Sequence, residues 1–155
     1  MKHYLVNDEL YMQKALDEAK KAYKLQEVPV GAVIVYNNEV ISAGFNMREV
    51  NNNATHHAEI LAIDRACKYL KSWRLIDCCL YVTLEPCPMC AGAIINSRIK
   101  RVVYAAKDYK AGSCGSVFNM FDLPFNHKPE LVAGVLEAEA VTLLKSFFKT
   151  IRDNK

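Results

Sequence analysis

The sequence has no long hydrophobic run, no strong excess of charge of one sign, and no stretch rich in proline, glycine or serine. Its longest uncharged apolar segment, residues 28–36, contains Pro29 and Gly31, and it falls well short of the roughly 20 residues a membrane-spanning helix needs. Lys2 and His3 stand near the start without the apolar core and small-residue cleavage site of a secretory signal, so a cytosolic protein is expected. With six glycines, five prolines and no internal repeat in 155 residues, low-complexity and solenoid architectures are excluded. One domain over residues 1–155 is expected. At 52% hydrophobic and 24% charged residues, the chain can bury a core and is not a disordered one.

The net charge of +3 permits an anionic partner such as nucleic acid without requiring one. Arg98, Lys100, Arg101, Lys107 and Lys110 crowd one stretch, and Lys145, Lys149, Arg152 and Lys155 crowd the C-terminus. On charge alone these are equally solvated faces or phosphate contacts. Cysteine is what the sequence has in plenty. In a reducing compartment the six cysteines are not a disulfide framework; each is a small buried hydrophobe or a metal or catalytic group.

The patterning predicts alternating helices and strands. Asn7 reads as an N-cap, followed by Asp8 and Glu9 in a first turn that favours acids. Leu10, Ala15, Leu16, Ala19, Ala22 and Tyr23 roughly follow a 3.6-residue period, which predicts a helix over 8–25. Residues 30–36 and 40–45 read as strands of a hairpin turning at Asn37-Asn38. Helices are then predicted over 58–69, 86–97 and 137–151, and short strands over 80–84, 102–105 and 131–135. The order α-β-β-α-β-α-β-loop-β-α implies an α/β fold, a three-layer α/β/α sandwich around a mixed five-stranded sheet.

Two segments carry chemistry. His57-Ala58-Glu59 opens a helix after a polar loop, and Pro86-Cys87-Pro88-Met89-Cys90 opens another directly after a strand. Cys87 and Cys90, three apart, share one face of a helical turn and can grip one ion. A helix N-terminus favours their thiolate forms, and Pro88 is tolerated there because its missing N–H is not needed. Two thiolates and the His57 imidazole are a zinc donor set, and three protein ligands leave one position for water. Glu59 can face that position as general acid and base without ligating. Two other readings stay open at this point. A closed structural zinc site would take a fourth ligand from His56, Cys67, Cys78, Cys79 or Cys114, and a redox Cys-x-x-Cys would leave His57 and Glu59 unexplained. Cys67, Cys78 and Cys79 are expected to be packing residues and His56 a loop residue; Cys114 lies in a small-residue loop, and its exposure stays open.

The combination resembles the signature of zinc nucleobase deaminases, and over nearly its whole length the chain resembles the bacterial tRNA-specific adenosine deaminases of the cytidine deaminase-like superfamily. The resemblance runs through residues 27–33, Asn46, His57-Ala58-Glu59, residues 81–87, residues 89–93 and 97–99. It continues in Asp108, Lys110, Gly112, Gly115-Ser116, Asn126-His127 and Phe147-Phe148. The zinc motif belongs to the wider superfamily, and the segments after residue 97 carry the narrower likeness.

That resemblance implies a cytidine deaminase-like fold and a homodimer. The implied reaction is hydrolytic conversion of adenosine to inosine at the wobble position of a tRNA anticodon stem-loop. It also implies one zinc ion per subunit, held by His57, Cys87 and Cys90 and activating water, with Glu59 as proton shuttle. Asn46 would contact the target nucleotide and Asp108 a flanking ribose-phosphate, while Asn126, Phe148 and Arg152 would meet the anticodon loop. The same zinc set would also serve a free-base or nucleotide deaminase, and an RNA-binding module with a structural zinc is the reading from another class.

Overall fold

The computed structural model describes residues 5–154; Lys2, His3 and Lys155 lie outside them. In chain order the elements are α1 (Asp8–Lys24), β1 (Gly31–Tyr36), β2 (Glu39–Phe45), α2 (Ala58–Leu70), β3 (Cys79–Leu84), α3 (Pro88–Asn96), β4 (Arg101–Ala106), a 3-10 turn (Met120–Asp122), β5 (Glu130–Ala133) and α4 (Glu137–Asp153). The expected order is the observed one, with β5 displaced toward the N-terminus by one or two residues. The strands form one sheet in the order β2-β1-β3-β4-β5. β1 runs antiparallel to β2 and β3, and β3, β4 and β5 run parallel.

Alternate residues of a strand face opposite sides, and here both sides are covered. Ile34, Leu80, Val82 and Val102 pack beneath Ala58, Ala62 and Ala66 of α2 and Ala91 and Ile94 of α3. Val33, Val35, Tyr81 and Val103 face the α1 and α4 side. Burial on both faces explains why β1 and β4 read as continuous apolar runs, whereas β2, at the edge, alternates. The result is the three-layer α/β/α sandwich with a mixed five-stranded sheet. Small residues set the layer spacing. A Cβ on Gly31 would overlap the backbone of Ala15 and Ala19 in α1, so α1 lies closer to β1 than any larger side chain permits. The hairpin turns through Asn37 and Asn38, both left-handed at φ 51° and 62°, as the twist-compatible two-residue turn requires.

Three expectations are corrected. Asn7 precedes α1 but its side chain caps nothing. Asp8 stands in the first turn of α1 as expected, but it is 1% exposed and accepts from Arg101, Tyr81 and the Leu5 N–H. Arg101, read as part of a basic surface stretch, is therefore buried against Asp8. Leu10 sits off the buried face of α1, at 55% exposure.

Candidate metal centre

The carboxyl ends of β2, β3 and β4 lie along one edge of the sheet, since β2 and β3 are each antiparallel to β1, and β3 and β4 are parallel. Crevices at such edges are where open α/β sheets place their sites. Asn46 follows β2, Cys87 follows β3 and Asp108 follows β4. α2, opening at His57, packs against β2 and β1.

His57 and Cys87 occupy equivalent local positions. Each is the N-cap of its helix, with extended backbone at φ −73°, ψ 158° and φ −77°, ψ 175°. Their carbonyls accept the first intrahelical bonds, from Leu61 N–H at 3.1 Å and Ala91 N–H at 2.8 Å. Neither side chain caps its own helix, so both are free to turn toward each other. Cys90, one turn into α3, completes the group and is fully buried.

The ligand atoms of His57, Cys87 and Cys90 lie within 4.8 Å of one another. Nδ1 of His57 stands 3.6 Å from Sγ of Cys87 and 3.6 Å from Sγ of Cys90. Nitrogen and sulfur ligands at about 2.0–2.3 Å from a tetrahedral zinc stand roughly 3.6 Å apart. The residues present therefore fit the ion by geometry as well as by donor chemistry. The group has three members, and none of Cys67, Cys78, Cys79, Cys114 or His56 joins it among the described residues. Three protein ligands is the number that leaves a zinc position open, whereas closed structural sites use four.

The thiols are unequal. The Cys90 thiol, hydrogen-bonded to it, pulls Cys87 down to about 4 against its burial, and His57 adds to the pull. Cys90 is driven up by the same hydrogen bond and by burial. The contact with Cys87 raises His57 above an ordinary imidazole. The pair thus carries one thiolate readily, and a cation is what makes the second favourable. Glu59, 3% exposed in the first turn of α2, stands beside the group without belonging to it. Burial pushes its carboxyl up to about 7, opposed in part by the N–H of its own backbone. A carboxyl poised near neutrality is suited to take and return a proton.

The other predicted residues divide. Asn46 is buried, and its side chain is tied to the backbone, Nδ2 donating to Val28 O at 3.2 Å and Oδ1 accepting the Arg48 N–H at 3.1 Å. Asp108 closes its own turn, Oδ1 accepting the N–H groups of Lys110 and Ala111. Asn126 is not brought to the metal group within this chain. It lies in the exposed run before β5, at the other end of the parallel strands. His127, its neighbour, donates from Nε2 to Ile99 O at 2.7 Å. Phe148 is exposed on α4 with its ring edge against buried Phe147, and Arg152 is exposed one turn on. No hydrogen bond or ring contact among the described residues joins either to the metal group. His56 bonds Asn51 through Nδ1 and is the loop residue expected. Cys114, whose exposure the sequence leaves open, is buried at 2% exposure.

Sequence reasoning missed two buried carboxylates. Glu27 accepts the N–H groups of Glu49 and Val50, and Glu85 accepts those of Asp108, Cys114 and Ser116. Both were legible as acids abutting apolar strands, next to Val28 and Pro86.

Comparison with known proteins agrees with the geometry. The MafB19-like deaminase family model matches residues 6–152. The tRNA-specific adenosine deaminase of Bacillus subtilis strain 168 is 50% identical over 152 residues, covering 97% of this chain and 94% of its own. A solved structure from a study of A-to-I editing by tRNA deaminases at the wobble position is 42% identical with a TM-score of 0.84, over 86% of this chain and 98% of that one. A guanine deaminase from Bacillus subtilis shares the fold at 34% identity and a TM-score of 0.63, over 91% and 93% of the two chains. The fold is thus common to deaminases of different bases, and it is near-full-length identity that selects among them: this chain belongs to the tRNA-specific adenosine deaminase family.

Proposed function

We propose that this chain hydrolyses adenosine to inosine and ammonia at the wobble position of a tRNA anticodon. The observation that carries the reading is the three-ligand group of His57, Cys87 and Cys90 with buried Glu59 beside it, in a chain half identical to a tRNA-specific adenosine deaminase.

His57, Cys87 and Cys90 would hold one zinc ion per chain. When bound, zinc acidifies water to a usable nucleophile and stabilises developing negative charge on oxygen. Glu59 does the proton work: it takes a proton from the water, gives it to N1 of the adenine, and carries another to the departing amine at C6. A wobble adenosine sits in a single-stranded loop, which lowers the energy of splaying it into a pocket. Asn46 and Asp108, on the same sheet edge, would contact the target nucleotide and a flanking ribose-phosphate. Phe148, Arg152 and Asn126 would meet the rest of the loop. The exposed members of the basic stretch, Lys100, Lys107 and Lys110, with Lys145 and Lys149 of α4, are available to phosphates, and activity should fall steeply with salt. We read the protein as one cytosolic domain acting as a homodimer. No helix among the described residues is long and apolar enough to cross a membrane; the dimer rests on the family resemblance, and the exposed Tyr69 and Ile76 are candidates for its contact.

The test is an anticodon stem-loop with adenosine at the wobble position, incubated with zinc-loaded protein and read as A-to-G change on reverse transcription, with Glu59→Ala alongside. Conversion of that adenosine alone, lost in the variant, is the expected result. No conversion with one zinc bound per chain would overturn the tRNA reading and direct the assay to ammonia release from guanine, cytosine and free nucleosides.

A further inference from the structure

We infer that Glu85 is a positioning residue: its carboxylate suspends the Asp108 turn from the end of the strand that carries Cys87. The inference rests on the wobble-adenosine reading, in which Asp108 touches the RNA.

Glu85 is 2% exposed. One oxygen accepts the Asp108 N–H at 3.1 Å and the Ser116 hydroxyl; the other accepts the Cys114 and Ser116 N–H groups, each at 3.0 Å. A carboxylate offers about four acceptor sites, and all are taken by one loop. Those three N–H groups have no other acceptor among the described residues. The surroundings are built to the same end. The Ser113 N–H donates to Pro86 O at 2.9 Å, and the Glu85 N–H donates to Ala106 O at 2.8 Å. Any Cβ on Gly112 would overlap the Glu85 carboxylate and the Asp108 carbonyl.

A buried carboxylate carries a desolvation penalty that an apolar side chain would avoid, and β3 needs no such group to pair. What it achieves is geometric. Asp108 is held from its own N–H, while its Oδ1 is committed to Lys110 and Ala111. Its second oxygen has no partner among the described residues and is presented in a preset place. Because Glu85 stands two residues before Cys87, the Asp108 turn and the metal group are registered to one another.

The experiment uses zinc-loaded protein and the wobble-adenosine stem-loop. Glu85→Gln turns one acceptor into a donor facing N–H groups. KM is expected to rise about tenfold, the equivalent of one unmade buried hydrogen bond, with kcat at saturating RNA and one zinc per chain retained. Adding Asp108→Ala to Glu85→Gln should raise KM no further than Asp108→Ala does alone, because Glu85 acts through Asp108. Ser116→Ala removes a single hydroxyl donor and carries the same test if Glu85→Gln does not fold. It should give a smaller KM rise that is likewise absorbed by Asp108→Ala. Unchanged KM in a folded, zinc-loaded variant, effects that add to Asp108→Ala, or zinc and kcat falling together with KM would each overturn the assignment. Failure of the wild type to convert the stem-loop is a separate outcome: it removes the tRNA reading and this inference with it.

Discussion

Arg101 and Asp8, 93 residues apart in sequence, meet in a two-pronged ion pair with both nitrogen–oxygen distances at 2.8 Å. Tyr81 completes it, its hydroxyl donating to Asp8 at 2.7 Å. The pair ties the start of α1 to the starts of β3 and β4, the edge of the sheet opposite the metal group. Burial alone would raise the Asp8 pKa, but Arg101, the Leu5 N–H and Tyr81 outweigh it and hold the carboxyl below its ordinary value.

Removing Asp8 leaves Arg101 charged and buried with Glu130 at 3.7 Å as a remaining partner, so Asp8→Ala is expected to destabilise the fold toward the lower end of about 3–5 kcal/mol. Lys100→Ala, whose partner Asp77 is as exposed as itself, should change stability by less than about 1 kcal/mol. Urea unfolding of both variants checks this. Since the folded Asp8 pKa is depressed, its contribution is complete above the ordinary carboxylate range and is lost as pH falls through the depressed value. The gap between wild type and Asp8→Ala should accordingly close only in strong acid.

His57→Ala, Cys87→Ser and Cys90→Ser should each lose most of the bound zinc, because two remaining ligands do not make a site. Cys67→Ser, Cys78→Ser and Cys114→Ser should keep one ion per chain. Metal analysis of the purified variants decides the matter, and loss of zinc from Cys114→Ser would restore the closed structural reading.

Glu59→Gln preserves size and keeps the three ligands, so zinc content should not change. Turnover of the stem-loop should fall by about 10²–10⁴, the range associated with a positioned acid–base group. Single-turnover kinetics at saturating RNA separates this from weaker binding.

The same substitution should stabilise the metal-free protein in a pH-dependent way. A carboxyl raised on folding from 4.5 to about 7 must be buried charged at alkaline pH, a penalty absent below the lower value and complete above the upper one. Melting of chelated samples should show Glu59→Gln gaining on wild type at about pH 8 and little at about pH 5. An equal gain at both values would mean that the carboxyl titrates normally.

Much of this was legible in the residues. Apolar runs and helical periodicity gave the element order because the strands are covered on both faces and α2 presents Ala58, Ala62 and Ala66 every four residues. The metal group was legible because its members sit at helix starts, where spacing along the chain translates directly into position. The Asp8–Arg101 pair was not, since an acid at a helix start and an arginine in a basic stretch each have an ordinary surface explanation. Only the parallel pairing of β3 with β4 brings Arg101 beneath α1. Glu85 could be seen as an acid beside an apolar strand, but its partners could not: they lie 23 to 31 residues away in a loop without periodicity.

The connection from β4 to β5, residues 107–129, supplies none of His57, Glu59, Cys87 or Cys90 and is moored to them through Glu85 and Pro86. On the proposed reading, the part of recognition that falls to Asp108 lies on a stretch separate from the reacting groups, and Glu85 and Pro86 fasten the two together. Such a stretch can change in a lineage while the reacting groups are inherited, provided the fastening is kept. That makes one scaffold serving both tRNA and guanine deaminases an expected product of descent and not a coincidence of shape.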